Sequence, residues 1–264
     1  MPFVTSRDGT RIAYETLGSG PAVILVDGAM CYRGMGPAMP LAKELQDRFA
    51  VTVYDRRGRG ESGDTQPYSV DREVEDLQAI IEAIGGTTML YGISSGGVLA
   101  LEAANKLAGV TRVFVYEAPF ITDNTRTLAP GYAERMYELI RNGDRSGALR
   151  HFMRVGVGVP AFAVFMMRLM PMWKKLKDLA PTLAYDTSFT EPLQRSQGIP
   201  KGTWANLRQP AMIVGGTRSD TWMRNAQKAI ADALPNARHQ ELAGENHMVK
   251  PTAIAPLIRD FFAA

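Results

Sequence analysis

The chain has a single cysteine, Cys31, among its 264 residues. No disulfide can form within it, so the sequence does not require an oxidising compartment. Its longest apolar stretch, Val155 to Met167, is interrupted by Pro160 and is too short to span a bilayer. We predict that this stretch belongs to a buried or ligand-facing helix. The N-terminal segment has no apolar signal core, so a cytoplasmic protein with no membrane partner is expected.

An excess of charge of one sign is also missing. The net charge is only +3, and the densest basic cluster is Arg56, Arg57 and Arg59 in a Gly-rich turn. Because no aromatic residues or nucleic-acid motif accompany this cluster, we predict a solvated loop, with phosphate binding as the weaker alternative. No nucleic-acid partner, cofactor or metal site is expected.

Strand and helix patterns alternate along much of the chain. The apolar run Ala22 to Val26 is typical of a strand covered on both faces, and the spacing of apolar residues over 71–84 predicts a helix. Asp8-Gly9 predicts a hairpin turn. Further strands are predicted at 3–6, 11–16, 51–54, 88–91, 112–116, 211–214 and 238–242, with helices at 37–46, 98–104, 223–233 and 252–262. This order predicts an α/β fold with a mostly parallel sheet flanked by helices.

The pattern changes between residues 122 and 206, where prolines separate short amphipathic segments and no strand is predicted. We interpret residues 122–206 as a helical cap inserted after the sixth strand, with 1–121 and 207–264 as the core. Some cap residues must face the pocket if the cap covers the site, although most should pack the cap on itself. The candidates for the pocket are Phe152, Met153, Phe162, Phe165, Met166, Met170, Trp173 and Trp204.

The segment Gly92-Ile93-Ser94-Ser95-Gly96 fits the nucleophile pattern G-x-S-x-G. A predicted strand precedes it and a predicted helix follows, which is the context in which a sharp turn raises a serine hydroxyl above a sheet. The pattern selects Ser94, because Ser95 would need glycine at position 93. A turn that only packs closely is the alternative, and the strand and helix around it favour catalysis.

A serine hydroxyl needs an adjacent base, and the chain has only three histidines. His151 lies in the predicted cap and His239 on a predicted strand, where structural roles are expected. His247 lies in the loop between the last strand and the last helix. Sheet topology brings that loop to the same edge as Ser94, so we predict His247 as the base rather than a surface histidine.

Two carboxylates could orient that histidine. Asp220 follows the strand at 211–214 but sits in a polar loop, where a solvated residue or a helix cap would look the same. Glu117 ends the strand after Ser94, a costly place for a carboxylate unless something pairs with it. Either could hold the imidazole in one tautomer. We favour Glu117 and keep Asp220 as the alternative.

An acyl-transfer site also needs hydrogen-bond donors for the oxyanion. The backbone N–H of Ser95 is one candidate. The second is expected in the loop after Val26, from Gly28 or the neighbouring Ala29. Asp27 would orient this loop or cap the next helix.

The segments "VILVDG", "YDRRGRGES", "YGISSGG" and "GENH" together resemble the α/β-hydrolase family over most of the core. Where many members have His-Gly, this chain has Asp27-Gly28. That difference, with "SSGG" and "YEAP", resembles the zearalenone-type lactonases. The resemblance implies Ser94, Glu117 and His247 as a catalytic triad, with Gly28 and Ser95 as the oxyanion hole.

We therefore expect a cofactor-free serine hydrolase that cleaves a carboxylic ester or lactone with a bulky apolar substrate, such as a zearalenone-like macrolactone. One alternative is hydrolysis of a carbon–carbon bond or another acyl derivative by the same triad. Another is a ligand receptor with slow turnover, because one fold hosts unrelated functions. The oligomeric state is open, with a homodimer among the alternatives.

Overall fold

The computed structural model describes residues 2–264, and its strands form one eight-stranded sheet. The strands are β1 (Phe3–Thr5), β2 (Arg11–Leu17), β3 (Ala22–Val26), β4 (Ala50–Tyr54), β5 (Thr88–Ile93), β6 (Val110–Tyr116), β7 (Ala211–Gly216) and β8 (Ala237–Leu242). Their order in the sheet is β1-β2-β4-β3-β5-β6-β7-β8. β2 pairs antiparallel with β1 and β4, and the remaining neighbours pair in parallel. The predicted hairpin and the mostly parallel sheet are confirmed.

Helices cover both faces of the sheet. The α-helices are α1 (Ala38–Leu45), α2 (Val70–Ala83), α3 (Ser95–Lys106), α4 (Tyr132–Arg141), α5 (Arg145–His151), α6 (Ala161–Arg168), α7 (Met172–Leu179), α8 (Leu183–Thr190), α9 (Thr221–Ala233) and α10 (Pro251–Ala263). Helices α2, α3 and α9 pack in one apolar cluster with the sheet, and α1 and α10 pack in the other. Among residues 2–264, no helix is long and apolar enough to cross a membrane.

The alternation of side chains along the central strands builds these two layers. In β3, Ile24 and Val26 belong to the α2 and α3 side, whereas Val23 and Leu25 belong to the α1 and α10 side. All four are buried, as the unbroken apolar run predicts for a strand covered on both faces. Because β3 to β8 run parallel, the loops after these strands all lie at one edge of the sheet.

Strand β5 and helix α3 both extend further towards each other than the sequence pattern predicted. The strand runs to Ile93 and the helix begins at Ser95, so two glycines lie in its first turn. Glycine is unfavourable in a helix, and this hid the start of α3 from the sequence pattern. Packing explains both residues. A Cβ at Gly96 would lie 2.2 Å from the Val26 carbonyl oxygen, and a Cβ at Gly97 would lie 2.8 Å from a side-chain carbon of Val115.

The basic cluster after β4 is not the solvated loop that we predicted. Arg56, Arg57 and Arg59 are all buried, with no more than 2% of each residue exposed. Each of the three guanidinium groups forms ion pairs with carboxylates that are buried or partly buried. The partners of Arg57 are Asp76 and Asp8. The sequence pattern missed this because the partners lie far away along the chain.

Between β6 and β7 the described chain contains helices and irregular segments but no strand. Helices α4, α5 and α7 form an apolar cluster of their own with residues such as Met136, Leu149 and Trp173. The stretch Val155 to Met167 does not form one helix, because it contains the end of a π-helical segment (Phe152–Val157), a break at Pro160 and most of α6. The side chains of α6 are largely exposed, so the prediction that this stretch is buried is wrong.

We expect Gly96→Ala to lower the free energy of unfolding by at least about 2 kcal/mol. The new methyl group would meet backbone atoms of β3 and the following loop, which cannot rotate away as a side chain can. Gly63→Ala is the matched control, because its nearest neighbours would lie at 3.6 Å. Urea unfolding of both variants checks the difference, and equal midpoints would contradict the packing argument.

Candidate active site

Ser94 occupies the sharp turn between β5 and α3. Its backbone has φ 57° and ψ −133°, a conformation that costs a non-glycine residue on the order of 1–3 kcal/mol. Two backbone bonds hold the turn, from the Ser94 N–H to the Tyr116 carbonyl and from the Gly97 N–H to the Ser94 carbonyl, both 2.9 Å long. The side chain of Ser94 lines a cavity.

His247 and Glu117 meet beside this turn. The Nδ1 atom of His247 lies 2.9 Å from Oε2 of Glu117, and Glu117 is fully buried at the end of β6. The other carboxylate oxygen of Glu117 accepts hydrogen bonds from the Gly216 N–H, at 2.8 Å, and from the Ser219 hydroxyl. These donors compensate the burial of the carboxylate and hold it in place.

Asp220, the alternative acid, points elsewhere. It is exposed at the start of α9, and its Oδ2 atom lies 3.2 Å from the indole nitrogen of Trp222. It lines the cavity but makes no hydrogen bond or ion pair with His247. Of the two carboxylates, the structure therefore brings only Glu117 into contact with the imidazole.

The loop after β3 lies against Ser94. A Cβ at Gly28 would be 2.9 Å from the Ser94 Cβ and 3.4 Å from its hydroxyl oxygen, so only glycine permits this approach. The neighbouring Ala29 lines the cavity, as does Ser95 at the start of α3. The backbone segments that we considered as oxyanion-hole donors thus flank Ser94 on two sides.

A buried carboxylate, Asp186 of α8, links this region to the helices between β6 and β7. Its Oδ1 accepts from the Ser95 hydroxyl and from Arg56, each at 2.8 Å, and its Oδ2 accepts from Arg59 at 2.6 Å. Burial alone would raise the pKa of Asp186, but the charges of Arg59 and Arg56 hold it below 3.8. No sequence pattern indicated Asp186, and the three arginines after β4 were the available signal for a carboxylate partner.

The same two arginines hold the Gly28 loop. Arg59 donates to the Gly28 carbonyl at 2.7 Å and Arg56 to the Asp27 carbonyl at 3.3 Å, while Arg56 also forms two hydrogen bonds of 2.6 Å with Glu73. The loop and the Ser95 side chain are therefore fixed through one network. We refer to Arg56, Arg59, Glu73 and Asp186 as the buried ion cluster.

Asp27 lies beside the buried ion cluster and is itself 4% exposed. Burial raises its pKa from 3.8 to about 7, although the charges of Arg59 and Arg56 act in the opposite direction. One of its carboxylate oxygens, Oδ1, has no hydrogen-bond partner in the described structure. An Asp27 carboxyl that keeps its proton near neutral pH fits this environment.

The cavity above Ser94 has a volume of about 360 Å³, near the lower end of the range for small-molecule sites. Residues from the core and from the segment between β6 and β7 line it together. They include Ala29, Ser94, Ser95, Glu117, Pro119, Arg126, Tyr132, Phe152, Gly156, Val157, Asp186, Thr187, Thr190, Gln194, Arg218, Ser219, Asp220, Trp222, Met223, Asn246, His247 and Met248. Among residues 2–264, no group of three or more His, Cys, Asp or Glu side chains could hold a metal ion.

Most of the predicted pocket residues lie outside this cavity. Phe152 lines it, but Trp173 is buried among the helices between β6 and β7, and Met153 packs against the same cluster. Trp204 packs on Phe120 and donates to Glu102 at 3.1 Å. The large side chains on and just after α6 are exposed instead: Phe162 by 74%, Phe165 by 55%, Met166 by 45% and Met170 by 51%. These residues were predicted to line the pocket because they are large and apolar. The orientation of the helices decides which of them reach the cavity.

The sheet order and the flanking helices define an α/β fold, and comparison with known families agrees. Residues 20–256 match the alpha/beta hydrolase family, so the chain belongs to that family. A solved alpha/beta hydrolase from Sphaerobacter thermophilus is 43% identical, with a TM-score of 0.90 over 99% of this chain and 100% of that chain.

More distant relatives share the fold. An enol-lactonase from Burkholderia xenovorans is 19% identical, with a TM-score of 0.70 over 100% of both chains. A curated relative, an uncharacterized hydrolase from Bacillus subtilis, is 26% identical over 169 residues. That match covers 61% of this chain and 60% of the relative.

The raised pKa of Asp27 generates a prediction about stability. Between about pH 4 and pH 7 the folded protein holds a proton that the unfolded chain releases, so rising pH favours unfolding. We expect this group to lower the free energy of unfolding by on the order of 2 kcal/mol from pH 5 to pH 8.

Asp27→Asn should remove that contribution, and urea unfolding of both proteins at each pH measures the difference. Asp232→Asn, at an exposed position, is the control and should keep the pH dependence of the parent protein. Parallel pH profiles for Asp27→Asn and the parent protein would show that Asp27 titrates normally.

Proposed function

We propose that the protein is a cofactor-free serine hydrolase of carboxylic esters or lactones, with Ser94 as nucleophile, His247 as general base and Glu117 as the acid that orients it. The observation that carries this proposal is the 2.9 Å contact between His247 Nδ1 and Glu117 Oε2 beside the strained turn of Ser94. With Nδ1 engaged by a buried carboxylate, Nε2 is the nitrogen left to accept the serine proton.

The reaction proceeds in two halves. Ser94 Oγ attacks the carbonyl carbon as His247 takes its proton, and the tetrahedral intermediate expels the alkoxide, which His247 protonates. Water, activated by the same histidine, then attacks the acyl-enzyme and releases the acid. In a lactone the leaving alcohol stays attached to the acyl chain, so the cavity must hold both ends during the first half.

The oxyanion would form between two backbone segments. The N–H of Ser95 at the start of α3 is one donor, and the N–H of Gly28 or Ala29 is the other. The buried ion cluster supports this assignment because it holds the Gly28 carbonyl and the Ser95 side chain. Donors fixed before the reaction need not reorganise when negative charge develops.

The site and the relatives together support the proposed substrate class. The cavity, at about 360 Å³, has room for a small molecule, and one structural relative is named as an enol-lactonase. The resemblance in the Asp-Gly loop adds a zearalenone-like macrolactone to the substrates worth testing. Helices between β6 and β7 supply much of the cavity wall, so we treat residues 122–206 as the cap of the enzyme.

A chromogenic ester tests the nucleophile. We expect a burst of leaving group close to one equivalent of enzyme, followed by slower turnover, because an acyl-enzyme accumulates when deacylation limits the rate. Ser94→Ala should abolish the burst, whereas Ser188→Ala, on the exposed side of α8, should retain it. Saturable binding of esters and lactones without turnover would instead support a receptor.

The acid can be identified by comparing two isosteric variants. Glu117→Gln should lower kcat by roughly 10⁴-fold, because the amide cannot stabilise the protonated imidazole. Asp220→Asn should leave kcat nearly unchanged, since Asp220 makes no contact with His247. Steady-state kinetics on one ester decides between them, and a severe loss in Asp220→Asn alone would overturn the assignment of Glu117.

A further inference from the structure

Arg126 brings an arginine side chain to the cavity from the segment between β6 and α4. Its guanidinium carbon lies 4.3 Å from the ring centroid of Trp222, a residue of α9 that also lines the cavity. It donates to the backbone carbonyls of Val155, at 3.4 Å, and Gly156. Stacking on an aromatic ring and two carbonyl bonds fix the orientation of this guanidinium.

None of these contacts neutralises the charge of Arg126. Within residues 2–264, the guanidinium of Arg126 forms no ion pair with a carboxylate. Three carboxylates line the same cavity, but Glu117 is engaged by His247, and Asp186 by two other arginines. The third, Asp220, acts on Arg126 only at longer range and accepts from Trp222.

A half-buried cation of this kind favours an anionic ligand. Burial lowers the pKa of Arg126 below its usual value, which means that its surroundings disfavour the charged form. The guanidinium nevertheless stays charged at neutral pH, and a carboxylate in the cavity would replace the hydration that it has lost. Its planar array of N–H groups suits two carboxylate oxygens, and stacking leaves the edge of that plane available for hydrogen bonds.

We propose that Arg126 and Trp222 form a carboxylate subsite, and that the preferred substrate carries a free carboxylate in addition to its ester or lactone group. The substrate assignment rests on the proposed hydrolase function, whereas the subsite itself can be tested by binding alone. Half-esters of dicarboxylic acids and lactones with a carboxylate side chain are the chemical classes that fit. An uncharged macrolactone would cover Arg126 without supplying an anion to pair with its guanidinium.

The kinetic test uses pairs of substrates that differ only in charge. These are the mono-4-nitrophenyl esters of succinate, glutarate and adipate, each with a partner in which a carboxamide replaces the free carboxylate. We expect the parent enzyme to have the higher kcat/KM for at least one of the acids. Arg126→Gln should lower that preference by roughly 10- to 100-fold, mainly through KM, as for other charge-assisted hydrogen bonds.

Two further variants separate recognition from structure. Arg126→Lys keeps the charge but loses the planar fork, so it should retain part of the preference. Arg135→Gln removes one positive charge from α4, where Arg135 pairs with Glu138 at the surface, and should keep the full preference. If Arg126→Gln slowed the acid and its amide equally, Arg126 would have only a structural role and the inference would be overturned.

A binding measurement completes the test without requiring turnover. Glutarate is titrated calorimetrically into the Ser94→Ala protein with Arg126 intact, with Arg126→Gln, and with Arg135→Gln. We expect binding that weakens at least 10-fold only in the Arg126→Gln protein. If the parent enzyme hydrolysed none of the esters, that binding result would support the subsite while rejecting the hydrolase proposal. Equal glutarate affinity in all three proteins, or no binding, would overturn the subsite.

Discussion

The arrangement of the site depends on one buried carboxylate, Asp186. It lies on α8, in the chain segment between β6 and β7, yet its partners Arg56, Arg59 and Ser95 lie in the core. Moving a carboxylate out of water is costly, and the cost is offset only where its charge and its lone pairs both find partners. Two guanidinium groups and a hydroxyl supply them here. Without Asp186, the buried Arg59 would lose its ion pair and Arg56 would keep only Glu73.

Burial explains the unusual carboxyl group at Asp27, and the arginines of the buried ion cluster offset it only in part. Arg56 and Arg59 carry two positive charges, and Glu73 and Asp186 carry two negative charges, so the cluster is already neutral. An ionised Asp27 would add a negative charge without a counterion in a region that water does not reach. Its raised pKa is the consequence. A protonated carboxyl behaves as a polar neutral group, which the Gly28 loop accommodates more readily than an anion.

Backbone features of the site were predictable from the sequence, and side-chain orientations were not. Ser94 and His247 could be placed because strand, turn and helix patterns locate the carboxyl edge of the sheet, where these loops must lie. Glu117 was preferred over Asp220 by its position at the end of a buried strand, and the structure places it against His247. In these cases local sequence carries the information.

The residues of the predicted cap and the arginines after β4 show why the remaining side-chain contacts could not be predicted from the sequence. Whether Trp173 or Phe162 faces the cavity depends on how several helices pack, and their apolar character is equally suited to the interior of the cap and to the cavity wall. The arginines look solvated in a Gly-rich turn, but Glu73 and Asp186 lie 17 and 130 positions away along the chain. Nothing in the local pattern indicates contacts of that range.

In the proposed enzyme, chemistry and specificity come from different parts of the chain. Ser94, Glu117 and His247 lie at or after the ends of β5, β6 and β8, which the fold fixes whatever the substrate. Arg126 reaches the cavity from the segment between β6 and α4, and it is oriented by Trp222 of α9 and by carbonyls of the π-helical segment. Its position depends on how these separate segments pack together. If Arg126 binds a carboxylate as proposed, substitutions there would change the charge of the accepted substrate while the groups around Ser94 stay in place, which is how one fold can serve many substrates.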